Sequence, residues 1–465
     1  MKAVAELAEL IGPHRVGSHP ADLHRHATDR STSALLARRA GTAYELPQCV
    51  VRPHTTEQVA QVLEWAHRTR TPVVPYGGGS GVSQGIAAGG AVVVELRALN
   101  EILDFDEKSR LVRAQSGVLG PDLAKALRSW GQTLGHEPQS LEISTLGGWV
   151  ATRASGQLSA RYGSIENMIS GLEAVLPGGR VVRSKTVPRR ATGPDLAALM
   201  VGSEGTLGIV TEVTLKVSPL PAERVHRCVR FQHMADGVAA CRKIAQSGLA
   251  PTLVRLYDPE DSAILLRNLP EETPGTLLLL TFQDAGAVQR ADQAAELSSG
   301  IPGDDSLVEH WWEHRNDAVE QLMILMAGEG VLGPHALVDT IEVSGTWSGL
   351  RDLYHSMKDE LSGLADLAAC HLSHIYPDGA CLYFTLASAC EDDAAAAELL
   401  ERWWEVGMES CLRAGGSISH HHGIGRRKVK WLERELDGWW DVLRAVKEAI
   451  DPHGIMNPGA LGLGG

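Results

Sequence analysis

VVPYGGGSGVSQGI (residues 73–86) sets five glycines within nine positions directly behind a short apolar run. Glycine lets successive peptide N–H groups turn toward one point and lets a ligand approach the backbone closely. Two familiar phosphate loops do not fit. A Walker loop needs G-x-x-x-x-G-K-[ST], and no lysine lies within 73–86. A dinucleotide fingerprint needs G-x-G-x-x-G, but Val82 follows the Gly77–Gly79 pair and Gln84 follows the Gly79–Gly81 pair. The loop by itself is equally a surface turn between strands or an anion cradle.

Outside the loop the chain is ordinary. It has 465 residues, 44% apolar and 22% charged, enough for two or three domains. A net charge of −14 excludes a broad basic surface for nucleic acid or anionic lipid, though not a local anion site. Seven cysteines (Cys49, Cys228, Cys241, Cys370, Cys381, Cys390, Cys411) form no C-x-x-C pair and are odd in number, which argues against a disulfide framework. The N-terminus lacks the long apolar core of a signal peptide, and the most apolar run, TLLLLTF (276–282), is too short for a bilayer. These features predict a cytoplasmic enzyme with no transmembrane segment and no nucleic-acid partner. Oligomeric state is left open, a homodimer included.

Periodicity supplies the elements. CVVRP (49–53), PVVPY (72–76) and AVVVEL (91–96) read as strands, and TTEQVAQVLEWAHRT (55–69) as a capped helix with Val59, Val62, Leu63 and Ala66 on one face. GPDLAKALRSWGQTLG (120–135) repeats the helix pattern. GIVTEVTLKV (208–217) alternates as a strand facing Ile209, Thr211, Val213, Leu215 and Val217 one way. SPLPAE (218–223) breaks that pattern. Residues 391–416 predict a long helix ended by Gly415, and two short helices follow the SHHHGIG run at 419–425.

Two further glycine-rich stretches decide between turn and cradle. They are HEPQSLEISTLGGWVATRASG (136–156) and VGSEGTLGIVTEVTLKV (201–217). With PYGGGSG and DPHGIMNPG (451–459), they make the chain resemble the FAD-binding vanillyl-alcohol oxidase/p-cresol methylhydroxylase (PCMH-type) superfamily. Within it, TGPD (192–195), GAC-YF (379–384) and SHHHG-G most resemble the alkyldihydroxyacetonephosphate synthases. The resemblance implies an α+β fold. It comprises an N-terminal helical segment (1–44), a PCMH-type FAD-binding domain (45–222), an α/β cap (223–415), and a C-terminal segment (416–465) completing the site where cap and FAD domain meet.

By that resemblance, FAD contacts fall on four groups of residues. The first is Pro75, Tyr76, Gly77, Gly78, Gly79, Ser80 and Gly81. The second is His136, Gln139, Ser140, Leu141, Ser144, Thr145 and Gly148. The third is Thr152, Arg153, Ala154 and Ser155. The fourth is Glu204, Gly205, Thr206, Gly208, Ile209 and Val210. The glycine N–H groups suit a pyrophosphate, the Arg153 fork suits a phosphate oxygen, and Thr145 suits the flavin ring. Many superfamily members tether flavin through a histidine near the first loop. Here Ser80 stands in a loop without histidine, and His136 matches a non-tethering position, so non-covalent FAD is expected.

The resemblance also implies catalytic residues: Tyr383 as acid/base, the run His420, His421 and His422, and Arg255, which matches a family arginine. Side chains alternate along a strand, so three adjacent histidines belong on a loop rather than on one strand face. A phenol near pKa ~10 would be brought toward neutrality by a nearby imidazolium. The synthase arginine that holds substrate phosphate is replaced by Gly349, with Arg351 two residues on. A sister group, the D-2-hydroxyacid dehydrogenases, holds a divalent metal through two histidines and a glutamate. Here His374 remains, but Tyr383 and His421 stand at the other two positions, so no hard metal site is expected. A softer histidine site for zinc stays open. Two chemistries at flavin N5 follow. One is redox-neutral exchange on a small ketone or alcohol-type substrate. The other is oxidation of a 2-hydroxy acid, alcohol or phenol. A catalytically dead flavin-binding protein is the third reading.

Overall fold

A computed structural model describes residues 2–42, 44–266, 275–317 and 324–464. They form two compact units: 1–154, 164–220 and 421–465 make the first, 155–163 and 221–420 the second.

In the first unit a four-stranded sheet runs in the order β1 (Val16–Gly17), β2 (Cys49–Val51), β4 (Val92–Glu95), β3 (Val73–Tyr76). β2 and β3 both lie parallel to β4. The helix Thr56–Thr69 makes the crossover between β2 and β3. Thr55 caps it, its Oγ1 accepting from Gln58 N at 3.3 Å, and Arg70 ends it in a left-handed conformation. The valine runs are apolar on both sides because both faces are covered. Cys49, Val51, Val73, Val92 and Val94 join Val59, Val62, Leu63 and Trp65 in one core, while Val50, Val74 and Val93 pack with Tyr76 in another. Leu7 and Ile11 of the helix Lys2–Ile11 complete the first core.

A five-stranded antiparallel sheet follows: β5 (Ile102–Asp106), β6 (Leu111–Gln115), β10 (Ile209–Lys216), β8 (Ile169–Val175), β9 (Val181–Arg183). The expected alternation of β10 is only partly kept. The strand is central, and register irregularities at Val210/Glu212 and Thr214/Leu215 bury residues on both faces. The helix expected over 120–135 stops at Ser129, because Gly131 turns left-handed before the short strand β7 (Gln132–Thr133), which pairs with β11 (Ser218–Pro219).

The second unit is built on a seven-stranded antiparallel sheet. Its order is β15 (Ile301–Pro302), β12 (Arg224–Phe231), β14 (Thr276–Gln283), β13 (Leu253–Tyr257), β17 (Leu367–Ser373), β18 (Gly379–Ser388), β16 (Leu337–Thr346). Register gives its two faces different characters. Leu256, Leu280, Leu372, Leu382, Phe384, Ile341 and Val343 share one face. Helices cover it closely: a Cβ on Gly237 of Met234–Gln246 would meet Leu256 Cδ1 at 2.4 Å, and one on Gly407 of Asp393–Arg413 would meet Ile341 Cδ1 at 2.9 Å. The opposite face carries Arg255 and Tyr257 of β13, His371 of β17, Tyr383 and Cys381 of β18, and Glu342 of β16. Polar residues gathered on a buried sheet face need partners or a ligand.

Candidate functional site

The glycine loop leaves the end of β3. A Cβ on Gly78 would lie 1.8 Å from the Ile143 carbonyl oxygen, and one on Gly77 would lie 2.4 Å from Thr145 Oγ1. Glycine is therefore required for the loop to sit against residues 143–145. Gly79 adds a left-handed φ of 65°. Asp29 braces the far side: its carboxylate accepts from Ser31 N at 3.1 Å and Gly85 N at 2.9 Å, while Arg30 N donates to Gly81 O at 2.8 Å. Sequence reading missed Asp29, which lies 56 residues from its partner Gly85. Among the described residues, the N–H groups of Gly78, Gly79, Ser80 and Gly81 have no hydrogen-bond acceptor.

His136 is 3% exposed, its ring centroid 4.8 Å from that of Trp149, and neither ring nitrogen has a partner. Burial pushes its pKa down to about 3, so the imidazole is neutral. Bare loop amides and an orphaned buried imidazole are donors and acceptors that a ligand would satisfy, and they fit FAD: amides for the pyrophosphate, His136 for a polar edge. The remaining expected contacts have mixed settings. Thr145 Oγ1 caps the helix Leu146–Thr152, accepting from Gly148 N at 3.3 Å, and Thr152 Oγ1 donates to Gly148 O at 2.9 Å. Gln139, Ser140 and Leu141 lie in tight turns, with Leu141 N on Pro138 O at 2.9 Å and Ile143 N on Ser140 O at 3.0 Å. Ser144 Oγ accepts from Trp149 Nε1 at 2.7 Å. Arg153, with a side chain 64% exposed, pairs with Glu166 at 3.1 Å instead of presenting a phosphate fork. Ala154 ends the helical segment, its N–H on Trp149 O. Ser155 belongs to the second unit, where its Oγ lies 3.2 Å from His374 Nδ1.

The third glycine turn locks the C-terminal segment. Glu204, itself left-handed at φ 49°, accepts from Ile424 N at 2.7 Å and Gly425 N at 2.8 Å. Burial raises its carboxyl pKa to about 7 despite those bonds. Gly205 lets the turn pass Pro75, where a Cβ would meet Cγ at 2.8 Å, and Gly208 lets it pass the Val175 carbonyl. Thr206 Oγ1 closes the turn on Ser203 O, and Ile209 and Val210 start β10. Ser83 Oγ donates to His422 O at 2.9 Å, Arg426 donates to Gln84 O and Gly85 O, and Asn457 Nδ2 to Gly85 O and Glu204 O. The loops 77–85 and 201–210 and the segment 421–461 are thus one hydrogen-bonded body.

In the second unit the sheet register sets His371 opposite Tyr383, with ring centroids 4.9 Å apart and planes 17° from parallel. His371 Nδ1 lies 2.8 Å from Asp261 and its Nε2 lies 2.5 Å from Arg255 Nη2. Burial and Arg255 push the His371 pKa down to about 4. The neutral ring donates from Nδ1 and accepts at Nε2. Burial drives the Tyr383 phenol up to about 12, with Thr340 and Arg255 pulling the other way, and the ring stacked on it is neutral. The group holds its proton and can donate a hydrogen bond.

His374, at φ 49°, has Ser159 Oγ at 2.7 Å from Nδ1, and its ring centroid lies 4.8 Å from that of His420. His420 Nε2 meets Tyr376 Oη at 2.8 Å. Glu342 accepts from Ser419 Oγ at 2.9 Å and from His420 N. Ligand atoms of Glu342, Cys381 and His420 lie within 4.8 Å of one another, a set closer to a soft site than to the hard one dismissed from sequence. The histidine run lies outside helix and strand, and the chain passes between units there: His420 belongs to the second, His421 and His422 to the first, their rings 4.5 Å apart. Gly349 is the N-cap of the helix Leu350–Ser362, and Arg351 is exposed. All seven cysteines are free thiols, and among the described residues no helix is long and apolar enough to cross a membrane.

Comparison with known proteins places the chain in a family. The model for "FAD binding domain" matches residues 47–185, and that for "FAD linked oxidases, C-terminal domain" matches 220–461. The FAD-linked oxidoreductase YgcU of Escherichia coli K12, described as uncharacterized, is 33% identical over 98% of this chain and 97% of its own. Alkyldihydroxyacetonephosphate synthase of Dictyostelium discoideum is 29% identical over 98% of this chain and 80% of its own, and D-lactate dehydrogenase of Anaerostipes hadrus is 30% identical over 89% of each. A solved alkyldihydroxyacetonephosphate synthase superposes with a TM-score of 0.82 at 27% identity, covering 98% of this chain and 85% of that one. p-Cresol methylhydroxylase, at 17% identity, TM-score 0.75 and coverage of 99% and 96%, shares the fold. With one model matching half of its residues and a relative aligned nearly end to end, the chain belongs to the FAD-linked oxidases and is an FAD-dependent enzyme.

Proposed function

We propose that the enzyme has an alkyldihydroxyacetonephosphate synthase-like site acting on a small ketone or alcohol-type substrate, with FAD bound non-covalently. When bound, the flavin supplies an electrophilic N5 and a two-electron store. Gly77 to Gly81 hold the pyrophosphate through their amides, His136 hydrogen-bonds the cofactor, and Glu204 fixes the turn 204–210 beside it. Tyr383 carries the reading. It is a phenol kept protonated on a buried polar sheet face and stacked on the neutral His371, suited to donate a hydrogen bond to a carbonyl or leaving oxygen as charge develops there. His420, His421 and His422 are the further groups through which a proton could pass. In the redox-neutral exchange a carbon–oxygen bond to the departing acid breaks, an alcohol oxygen takes its place, and the alcohol's proton leaves through these groups.

Oxidation of a 2-hydroxy acid is the second reading. Gly349, standing where a phosphate arginine is expected, favours it, as does the similarity to a D-lactate dehydrogenase. Anaerobic titration with D-lactate, glycolate and a simple phenol separates the two. Redox-neutral chemistry leaves the flavin band near ~450 nm intact. Stoichiometric bleaching by one of these donors rejects the exchange and establishes the oxidase. Tyr383→Phe should lower turnover at least ~100-fold with FAD retained, a hydrogen-bond donor to developing charge being worth about that much; unchanged turnover removes the phenol from the mechanism.

A further inference from the structure

Arg255 is 6% exposed. Among the described residues no carboxylate comes within ion-pairing distance of it, and its Nε–H has no acceptor. The side chain is nevertheless held on several sides. His371 Nε2 accepts from Nη2 at 2.5 Å, and the guanidinium carbon lies 5.5 Å from the ring of Tyr257 and 5.1 Å from that of Trp311. Asp261 fixes His371 from behind at 2.8 Å, so that the ring presents a lone pair, not a proton, to the arginine. A buried N–H left open at a cation braced this firmly is what an incoming oxyanion completes. Tyr383 stacks on the same His371 ring at 4.9 Å and is close enough to feel the charge of Arg255.

We infer that Arg255, with Tyr383 next to it, is the receptor for an anionic oxygen group of the substrate, a carboxylate or a phosphate monoester, and that Asp261 and His371 are positioning residues holding its guanidinium. This deepens the proposed function and rests on it: the substrate is an anion, and the charge at Arg255 takes over recognition that Gly349 cannot supply.

The test uses the FAD-loaded enzyme with two probes, oxalate and inorganic phosphate, titrated by calorimetry and by the shift of the flavin spectrum. At least one probe should bind with Kd below ~10 mM. Arg255→Met should weaken it about 100-fold, the scale of two charge-assisted hydrogen bonds, and Arg255→Lys should recover part of the loss. His371→Leu should weaken binding about tenfold, and His371→Gln, which restores an acceptor near Nε2, should regain most of it; a purely structural role would not discriminate between Leu and Gln. Asp261→Asn should behave as a milder His371→Leu and serves if the arginine variants do not fold. Binding of oxalate alone assigns a carboxylate, and of phosphate alone a phosphomonoester. Flavin-loaded enzyme that binds neither probe, or a Met variant that binds like wild type, overturns the inference. Absence of flavin from wild type would instead overturn the cofactor reading beneath it.

Discussion

Gly81→Ala isolates what the bare loop is for. A Cβ at Gly81 meets no protein atom closer than 3.5 Å, which is ordinary van der Waals contact, and the residue does not need a left-handed φ. The fold should therefore tolerate the methyl, with apoprotein stability unchanged or raised by up to ~1 kcal/mol through the lost backbone entropy of glycine. Bound cofactor meets a different surface. If the Gly81 amide faces a phosphate, the methyl occupies space the anion needs. Losing two charge-assisted hydrogen bonds costs about 3 to 4 kcal/mol, or roughly 10²- to 10³-fold in FAD affinity. Gly78→Ala is the contrast, since its Cβ would fall 1.8 Å from Ile143 O and 3.1 Å from Ser144 Cα, both backbone. That variant should lose stability and cofactor together, by ~3 kcal/mol or more of fold stability. The assay is quenching of FAD fluorescence on titration with apoprotein, beside thermal unfolding of the same apoproteins. A Gly81→Ala protein that binds FAD as tightly as wild type would refute the claim that these amides hold the pyrophosphate.

His136→Phe should flatten acid lability. The native imidazole has a pKa near 3 against ~6.5 unfolded, so the unfolded chain binds the extra proton first. Stability from this group is full above ~6.5 and falls by about 1.4 kcal/mol per pH unit toward 3, whereas phenylalanine has nothing to protonate. Urea unfolding of both apoproteins at pH 7 and pH 4.5 measures the difference, and parallel losses would reject it. Glu204→Ala removes the acceptor for Ile424 N and Gly425 N, two buried donors worth about 1 to 3 kcal/mol each; limited proteolysis should then open the chain near 421–428 before the rest. Asn457→Ala should do likewise more weakly, since Nδ2 bridges Gly85 O and Glu204 O; equal protease resistance in both variants would mean the anchor lies elsewhere.

The glycine loop was legible because its cause is local: a run of residues without Cβ after a buried strand constrains its neighbours whatever else the chain does. Its brace was not. Asp29 sits in a stretch read as a separate helical segment, and nothing in that stretch signals that Gly85 N is its partner. Arg255 and Tyr383 were found through motifs. Asp261 was not, and His371 was only part of a quoted run, because their meaning depends on strand order. β13, β17 and β18 are neighbours in the sheet, so His371 and Arg255, 116 residues apart in sequence, share a face. Periodicity tells which residues share a face of one strand; it is silent on which strands adjoin.

Where the chain passes between units is less local than a pattern break: the resemblance put domain limits at 222 and 415, and the compact units change at 220/221 and between His420 and His421, with residues 155–163 grouped with 221–420. Ser155 and Ser159 meet His374, and Arg161 and Tyr162 meet Gln283, all within the second unit. At the histidine run, Ser417 bridges Ser344 and the His420 amide donates to Glu342 in that unit, while His422 O accepts from Ser83 and Ile424 N donates to Glu204 in the first. The backbone is thus pinned within two residues on either side of the switch, by a carboxylate before it and a hydroxyl after it. Backbone hydrogen bonds therefore fix where the loop runs, and side-chain contacts fix the rings: His420 meets Tyr376 and His374 in the second unit, and His421 meets His422 in the first. Glu342 and Ser83 thus serve the histidines indirectly, each by holding the backbone of its own unit.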